Sequence, residues 1–351
     1  MSAFALVKVT HETIKRGGGV DVPVAINFFN RIDTLEKVFS VIREVRPTKL
    51  FLIADGPRKN VVSDIEKTVA CRKVVEEIDW DCEVYQLYAK ENQGLWVTYF
   101  DAMKLVFNVV DRCIFLEDDV VVSKSFFEYC RYLLEKFCDD YRISFVTAIN
   151  LLGEYEMPSG DYFFCGEGGL TAYGLWKRTF DSMNLNFCKD TYTIQAMMTC
   201  SRKQKPGYEK RIQKWVDNPY WQGHIPHVEV YKNLLRFSQS QICIVPTKNM
   251  VTNIGVGSGA THSANNVKKL PTAIQRIFNA ERYEYEFPLK DPEFVVVDYE
   301  YEKVVNNVLA WNKPFVRFFR RIEAILRHIY YGDFSRVKNK IQDISSWKIK
   351  E

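Results

Sequence analysis

Residues 112–122 read Arg-Cys-Ile-Phe-Leu-Glu-Asp-Asp-Val-Val-Val. A short apolar run that leads into three consecutive carboxylates, Glu117, Asp118 and Asp119, predicts a buried strand that ends in an acidic turn. Adjacent carboxylates repel one another and lose hydration on burial, so they need a cation or hydrogen-bond donors beside them. Hard oxygen ligands suit Mn²⁺ or Mg²⁺. The alternative is a solvated turn that binds nothing.

Strand-like and helix-like segments alternate in the residues before this run. Such alternation predicts βαβ units and a parallel sheet, in which ligands bind beyond the carboxyl ends of the strands. The acids therefore follow a strand at the edge where a site belongs. If the chain stays extended through them, Glu117 and Asp119 face one side and Asp118 the other. The predicted strands are 22–29, 49–54, 81–89 and 113–116, and the predicted helices between them are 33–46, 61–78 and 96–110.

The pattern changes after residue 145. Residues 153–175 are rich in glycine and aromatic residues, which indicates irregular loops and strands around a pocket. The polar, basic stretch 203–214 predicts a surface loop. A short helix over 228–235, a strand over 241–246 and a glycine-rich loop over 253–262 complete this part.

Composition is that of an ordinary globular protein, with 47% hydrophobic and 26% charged residues among 351. The net charge of +4 is too small to indicate nucleic acid as a partner. Nine cysteines without a Cys-x-x-Cys pair favour reduced thiols, and no signal-peptide pattern begins the chain. We therefore expect a cytoplasmic protein, with peripheral attachment to the inner face of the cell membrane as an option.

That option comes from the C-terminal part of the chain. Residues 311–351 contain ten Lys or Arg against four acids, a net charge of +6. Residues 315–331 interleave arginines with large apolar side chains, which is typical of a basic amphipathic helix on an anionic membrane surface. The alternative is a helix that packs on the rest of the protein with its arginines outward.

Three further motifs carry candidate chemistry. Asp55 begins an Asp-Gly-Pro turn directly after a predicted strand, at the same edge as the acids. The loop 253–262 ends in His262 and has the glycines of a segment that closes over a ligand. Glu229 stands among apolar residues, where its pKa could rise as a general base requires. Their structural alternatives are a plain turn, a surface loop and an exposed helix carboxylate.

Together these motifs resemble the GT-A fold of glycosyltransferases over roughly residues 22 to 265. The shared order is a strand, an Asp-Gly-Pro turn, an Asn-x-Gly-Leu loop, a hydrophobic-Glu-Asp-Asp run and Ser-x-x-Phe-Phe. The most specific part is 241–262, which is similar to a Pro-x-x-Asn-Leu-Val-x-Asn-Ile-Gly…Thr-His segment in bacterial sugar transferases related to N-acetylglucosaminyltransferase I and to family 2-like enzymes. This chain has Glu229 where those enzymes usually have Asp, and Ala172-Tyr173 where they have Gly-Trp.

The resemblance implies an α/β GT-A fold: a Rossmann-like, mostly parallel central sheet flanked by helices, with a C-terminal helical extension. The implied domains are a glycosyltransferase domain over 20–265 and an extension with basic amphipathic helices over 266–351. Glu229 is the implied catalytic base, and Asp119 and His262 the implied ligands of Mn²⁺ or Mg²⁺. The implied donor-binding residues are Phe28, Asn30, Arg31, Asp55, Asn92, Gly94, Glu117 and Asp118, with Asp118 on the ribose and Asp55 on the base.

The activity expected from the resemblance is metal-dependent, inverting transfer of a hexosyl or N-acetylhexosaminyl group. The donor would be a nucleotide-sugar, with UDP favoured, and the acceptor a saccharide or lipid-linked saccharide of polysaccharide biosynthesis. One rival is a sugar nucleotidyltransferase, although the glycine-rich loop that would hold its triphosphate is missing from 26–36. The other is a non-catalytic, membrane-associated scaffold that keeps the fold.

Overall fold

The structure is a computed structural model that describes ten segments of the chain. The side chains at 96, 211, 214–216, 228–232 and 234 lie outside that description. The described segments are 6–9, 19–156, 160–183, 190–204, 209–217, 228–255, 266–278, 280–310, 313–334 and 336–337.

Helices and strands alternate through the first half of the chain, as predicted. The strands are β1 (Val7–Val9), β2 (Val24–Phe28), β3 (Lys49–Ala54), β4 (Glu83–Tyr88), β5 (Arg112–Glu117), β6 (Val120–Val122), β7 (Ile143–Thr147), β8 (Tyr162–Cys165), β9 (Tyr173–Trp176), β10 (Ile242–Pro246) and β11 (Val251–Asn253). The helices are α1 (Ile32–Val45), α2 (Val62–Glu76), α3 (Leu95–Val106), α4 (Ser125–Lys136), α5 (Lys177–Asp181), α6 (Thr191–Gln204), α7 (Glu209–Val216), α8 (Val228–Gln239), α9 (Thr272–Phe278), α10 (Tyr299–Val308) and α11 (Pro314–Tyr330).

Nine strands of the described segments form one sheet, in the order β1-β4-β3-β2-β5-β9-β7-β10-β8. Six of them, β2, β3, β4, β5, β7 and β10, run in one direction, and β1, β8 and β9 run in the other. The predicted class, an α/β protein with a mostly parallel central sheet flanked by helices, is confirmed.

Both faces of this sheet are buried, which explains why its strands read as continuous apolar runs. In β2 the side chains alternate: Val24 and Ile26 join a core with α1, α2 and α4, whereas Ala25 joins a second core with α3 and α10. Helices must cover both apolar faces of the sheet, and each covered face forms one core. This requirement explains why strands and helices alternate in the sequence.

The parallel strands end level with one another. Phe28 of β2 lies opposite Ala54 of β3, Ala54 lies opposite Tyr88 of β4, and Asn27 lies opposite Glu117 of β5. The residues that follow these strands therefore meet at one edge, which we call the carboxyl edge. Asp55 and the Asp118–Asp119 pair both emerge there.

Two expectations for the middle of the chain were inaccurate. Residues 203–214 were expected to form a loop, but the end of α6 and most of α7 fall there, because a mostly polar stretch can still form a helix with one apolar side. Strand β7 was not predicted, because a buried run of only five residues gives no periodicity by which to recognise a strand.

Residues between 280 and 310 pack on the sheet. Tyr301 and Val305 of α10 belong to the core that contains α3, and Leu289 belongs to the core on the opposite face. The backbone N–H of Asp298 donates to the carbonyl of Phe164, 2.8 Å away, at the end of β8. The division into domains at residue 265 stays a prediction, but the segment 280–310 shares its cores with the first part of the chain. The described residues contain no helix long and apolar enough to cross a membrane.

Candidate functional site

The three acids sit at the carboxyl edge, but they do not alternate as an extended strand would. Strand β5 ends at Glu117, and Asp118 and Asp119 form a tight turn before β6. Both carboxylates accept hydrogen bonds from one nitrogen, Nη2 of Arg31, at 2.8 Å each. The expected placement of Asp118 opposite Asp119 was therefore wrong, because the chain leaves the strand one residue before the pair.

Arg31 reaches the acids because it lies between β2 and the first turn of α1, directly above the neighbouring strand. Asp118 also accepts a hydrogen bond from the backbone N–H of Phe29, at 3.2 Å. Burial raises the pKa of Asp118 to about 6, even though Arg31 favours the ionised form. Two adjacent carboxylates thus share one guanidinium, which leaves an excess of negative charge when both are ionised. A further cation would neutralise that charge.

Asp119 has one oxygen that remains without a partner within the described segments. Its Oδ2 is bonded to Arg31, whereas its Oδ1 is buried and accepts no hydrogen bond. Its backbone carbonyl accepts from the N–H of Ile254 at 2.8 Å, which fixes the residues after β11 directly against the acid. A Cβ on Gly255 would lie 1.9 Å from Oδ2 of Asp119, so any other residue here would displace the Asp119 carboxylate.

These residues fit part of a divalent-cation site. A buried carboxylate oxygen that accepts no hydrogen bond is unfavourable, and coordination to a metal ion would stabilise it. The described segments contain no group of three or more His, Cys, Asp or Glu placed to hold a metal. His262, the second predicted ligand, lies outside them. Any cation here would be held by Asp119, with Asp118 beside it.

Asp55 organises a neighbouring loop at the same edge. Its buried carboxylate accepts from the backbone N–H groups of Gly56, Gln93 and Gly94 at 2.8, 2.9 and 3.0 Å, and from Nδ2 of Asn92 at 2.9 Å. Gly94 has a φ of 85°, a left-handed conformation that glycine adopts without strain, and α3 begins immediately after it. Three residues predicted for the donor site, Asp55, Asn92 and Gly94, thus form one hydrogen-bonded unit.

A second charged unit was not predicted from the sequence. Asp64, at the start of α2, accepts from Nε and Nη2 of Arg58 at 2.6 and 3.0 Å and from Nδ2 of Asn30 at 2.8 Å. The guanidinium of Arg58 lies 5.6 Å from the ring centroid of Phe29. In the sequence Asp64 resembles any acidic residue in the first turn of a helix. The signal for this unit was Arg58, which directly follows the Asp-Gly-Pro turn.

The remaining predicted residues differ in their accessibility. Phe28 is buried, with its ring edge-on to Tyr88, so its side chain contributes to the core beneath the edge. Glu117 is half-buried and lies near the hydroxyl of Tyr99, whose partner is the hydroxyl of Tyr173 at 2.7 Å. Glu229 lies in the first turn of α8, and its side chain is outside the described part of the structure.

No model of a known protein family matches the chain, and no curated protein matches its sequence. Among solved structures it is similar to a UDP-glucose pyrophosphorylase complexed with UDP-glucose, at 11% identity over 65% of this chain and 91% of that one, with a TM-score of 0.33. It is also similar to mouse xyloside xylosyltransferase 1, at 10% identity over 62% and 80% of the two chains, with a TM-score of 0.32. The galactosyltransferase LgtC, in complex with donor and acceptor sugar analogues, has 12% identity over 68% and 91%, with a TM-score of 0.31.

Proposed function

We propose that this protein is a glycosyltransferase of the GT-A type that binds a nucleotide-sugar at the carboxyl edge. The observation that carries the proposal is the convergence of Asp118, Asp119 and Arg31 beside the loop anchored by Asp55. A nucleotide diphosphate brings negative charge, and a sugar and ribose bring hydroxyl groups. An edge that offers carboxylates, guanidinium groups and backbone amides suits both.

The proposed roles follow the contacts of each residue. Asp119, with an unpartnered buried oxygen, holds Mn²⁺ or Mg²⁺ together with His262, and Asp118 accepts from the ribose. Asp55 positions Asn92 and Gly94 on the base side of the site. The bound cation would neutralise the negative charge on the leaving diphosphate.

In the proposed reaction Glu229 takes the proton of an acceptor hydroxyl. The acceptor oxygen then forms a bond to the anomeric carbon, from the face opposite the nucleotide. The bond from that carbon to the diphosphate oxygen breaks, and the diphosphate leaves with the electron pair. Configuration at the anomeric carbon is inverted. We propose a UDP-hexose or UDP-N-acetylhexosamine as donor and a saccharide or lipid-linked saccharide as acceptor.

The rival function is that of a sugar nucleotidyltransferase, which would need a glycine-rich loop near the acids to hold a triphosphate. Gly19 is a glycine that precedes the first strand of the parallel set. This glycine packs against the C-terminal end of α1, where a Cβ would lie 2.0 Å from the carbonyl oxygen of Val45. Helix α1 begins at the carboxyl edge and ends at the other edge of the sheet. Gly19 is therefore far from the acids, and packing explains why a side chain is absent there, which favours the glycosyltransferase.

The test compares nucleotide-sugar binding and turnover with and without Mn²⁺. We expect at least one UDP- or GDP-sugar to raise the melting temperature in the presence of Mn²⁺ and to be slowly hydrolysed to the nucleoside diphosphate. Release of pyrophosphate from a nucleoside triphosphate and a sugar phosphate would instead assign the rival function. Absence of donor binding under all conditions would favour the scaffold.

Asp119→Ala should abolish the metal-dependent turnover, with a loss of at least about a hundredfold, because it removes the oxygen proposed to hold the cation. The matched control is Asp111→Asn, an exposed aspartate just before the other end of β5. It should keep full activity. Unchanged turnover in Asp119→Ala with Mn²⁺ present would remove the metal assignment.

A further inference from the structure

Helix α11 turns its apolar side outward. Four large side chains along it are each more than half exposed: Phe315 at 79%, Phe319 at 66%, Leu326 at 61% and Tyr330 at 83%. Their spacing of four, seven and four residues places them in one line on the helix surface. We call this line the outer strip. Soluble proteins normally bury such a face, so its exposure needs a partner.

The side of α11 that faces the protein is polar. Ala324 and His328 are buried there, and Nη2 of Arg327 donates to Oγ1 of Thr272 at 2.6 Å. Oε1 of Glu323 accepts from the backbone N–H of the same threonine at 2.9 Å. Polar contacts therefore hold this side of the helix, next to the half-buried Phe318, Ile322 and Ile325. The structure departs from the expected alternative in one respect, because large apolar side chains are exposed along with Arg317 and Arg321.

The charge of α11 identifies the kind of partner. The helix contains Arg317, Arg320, Arg321 and Arg327 against the single acid Glu323. Three of these arginines fall in its first half, beside Phe315 and Phe319. A two-fold contact between copies through the outer strip would bring these like charges together. A surface that pairs aromatic side chains with arginines suits anionic lipid headgroups above an apolar layer.

We propose that the outer strip is a docking surface for an anionic lipid bilayer, on which α11 lies parallel to the plane. With 17 residues the helix is about 25 Å long, and its amphipathic character places it at the interface. The phenylalanines, Leu326 and Tyr330 insert among the acyl chains near the headgroups, and the arginines in the first half of the helix reach lipid phosphates. The proposal rests on α11 alone and stands whether or not the carboxyl edge transfers sugars.

The test is flotation of the full chain with vesicles of phosphatidylcholine alone and with an equal mixture of phosphatidylcholine and phosphatidylglycerol. We expect binding to the mixed vesicles, weak binding to the neutral ones, and release by high salt. The double variant Phe319→Ser/Leu326→Ser should bind at least about tenfold more weakly, because two inserted side chains are lost. The double variant Arg320→Gln/Arg321→Gln should lose a similar factor on the anionic vesicles only.

The matched control is Val62→Ser/Ile65→Ser, which removes two exposed apolar side chains from α2. It should bind as the unaltered chain does. A Phe319→Trp variant adds a direct readout, since brominated acyl chains should quench a tryptophan that inserts.

Three results would overturn the proposal. One is equal binding by the strip variant and the unaltered chain. Another is a dimer in sedimentation analysis that only the strip variant disrupts, which would assign the strip to a second copy. The third is binding that arises only after removal of residues 338–351, which would assign the strip to the chain's own C-terminal segment.

Discussion

At the scale of single residues, Arg31 occupies the position that a divalent cation would compete for. Its Nη2 lies 2.8 Å from one oxygen of Asp118 and from one of Asp119. The guanidinium supplies positive charge to both carboxylates, and a cation on the unpartnered Oδ1 of Asp119 would lie on the same carboxylate as Arg31. If the proposed cation binds Asp119, Arg31 would lower the affinity of the site for it, a role distinct from the predicted contact with the nucleotide.

We expect Arg31→Gln to bind Mn²⁺ about tenfold more tightly in the absence of nucleotide, because it removes a positive charge from the carboxylate that is proposed to hold the cation. Its melting temperature without metal should fall and should recover when Mn²⁺ is added. Calorimetric titration and thermal unfolding measure both effects. The control is Arg58→Gln, a nearby arginine that pairs with Asp64 instead. Unchanged or weaker Mn²⁺ binding in Arg31→Gln would show that the guanidinium does not compete.

Asp64 gives a pH-dependent prediction. Hydrogen bonds from Arg58 and Asn30 lower its pKa to about 2, below the ordinary value of 3.8. A lowered pKa in the folded state means that the carboxylate stabilises the fold above pH 4 and loses this effect as the pH falls towards 2. We expect Asp64→Asn to lower the free energy of unfolding by about 1 to 2 kcal/mol at pH 7, after allowance for the exposure of Arg58. The difference should shrink to roughly half at pH 3, and urea titrations at both values measure it. A difference that stays constant with pH would mean that the ionised carboxylate is not what stabilises this unit.

The location of residues at the carboxyl edge could be predicted from the sequence, whereas the contacts between their side chains could not. Apolar runs that end in Asp55 or in the acidic triplet predict positions at a strand end, because strand direction and burial are local properties. The pairing of Asp64 with Arg58 and Asn30, and that of Arg31 with two acids, depends on side-chain reach between separate elements. No spacing rule within one element encodes such contacts.

At the scale of elements, a buried ion triad ties α8 to the rest of the protein. Arg236 of α8 lies 2.6 Å from Oε1 of Glu167 and 2.8 Å from Oε2 of Glu302, and all three side chains are buried. Glu302 also accepts from the backbone N–H of Gly166 at 2.6 Å. Helix α8, whose first turn contains Glu229, is thus fixed at its far end to the residues after β8 and to α10.

We expect Arg236→Met to lower the free energy of unfolding by about 3 to 5 kcal/mol, because it leaves two buried carboxylates without their cation. Adding Glu302→Gln should restore part of this loss, since it removes one of the uncompensated charges. Chemical denaturation of the single and double variants measures the coupling. Arg142→Met, at an exposed arginine, should change stability by less than about 0.5 kcal/mol. If the double variant is no more stable than Arg236→Met, charge burial is not the cause.

The boundaries of the elements around the site were predicted within a few residues, since strong apolar periodicity or turn residues mark them. Strand β3 matches the predicted 49–54, and Asp55-Gly56-Pro57 explains why it ends there. By contrast, the outward orientation of α11 was not predictable, because a basic amphipathic sequence is compatible with either side facing the protein. Its polar inner contacts, such as Arg327 with Thr272, involve residues more than 50 positions apart.

At the scale of the whole molecule, the segment between 280 and 310 completes the fold. The N–H of Tyr283 donates to the carbonyl of Asn249 at 2.9 Å, and the hydroxyl of Tyr301 accepts from the N–H of Leu151 at 3.1 Å. Leu289, Tyr301 and Val305 are buried in the two cores. Burial of three such side chains contributes about 5 to 9 kcal/mol, which is comparable with the whole stability of a typical domain.

Truncation tests this division of the chain. A chain that ends at residue 312 lacks α11 but keeps Tyr301 and Val305 of α10 in the core with α3, and we expect it to unfold cooperatively within a few degrees of the full chain. A chain that ends at residue 265 loses Leu289, Tyr301 and Val305 from the cores, so we expect no cooperative transition in calorimetry. Within the full chain, Tyr301→Ala should cost about 3 to 5 kcal/mol, which separates the loss of core packing from the loss of chain length. A cooperative transition of normal enthalpy in the shorter truncation would instead show that residues 20–265 fold as an independent domain and that 266–310 only covers them.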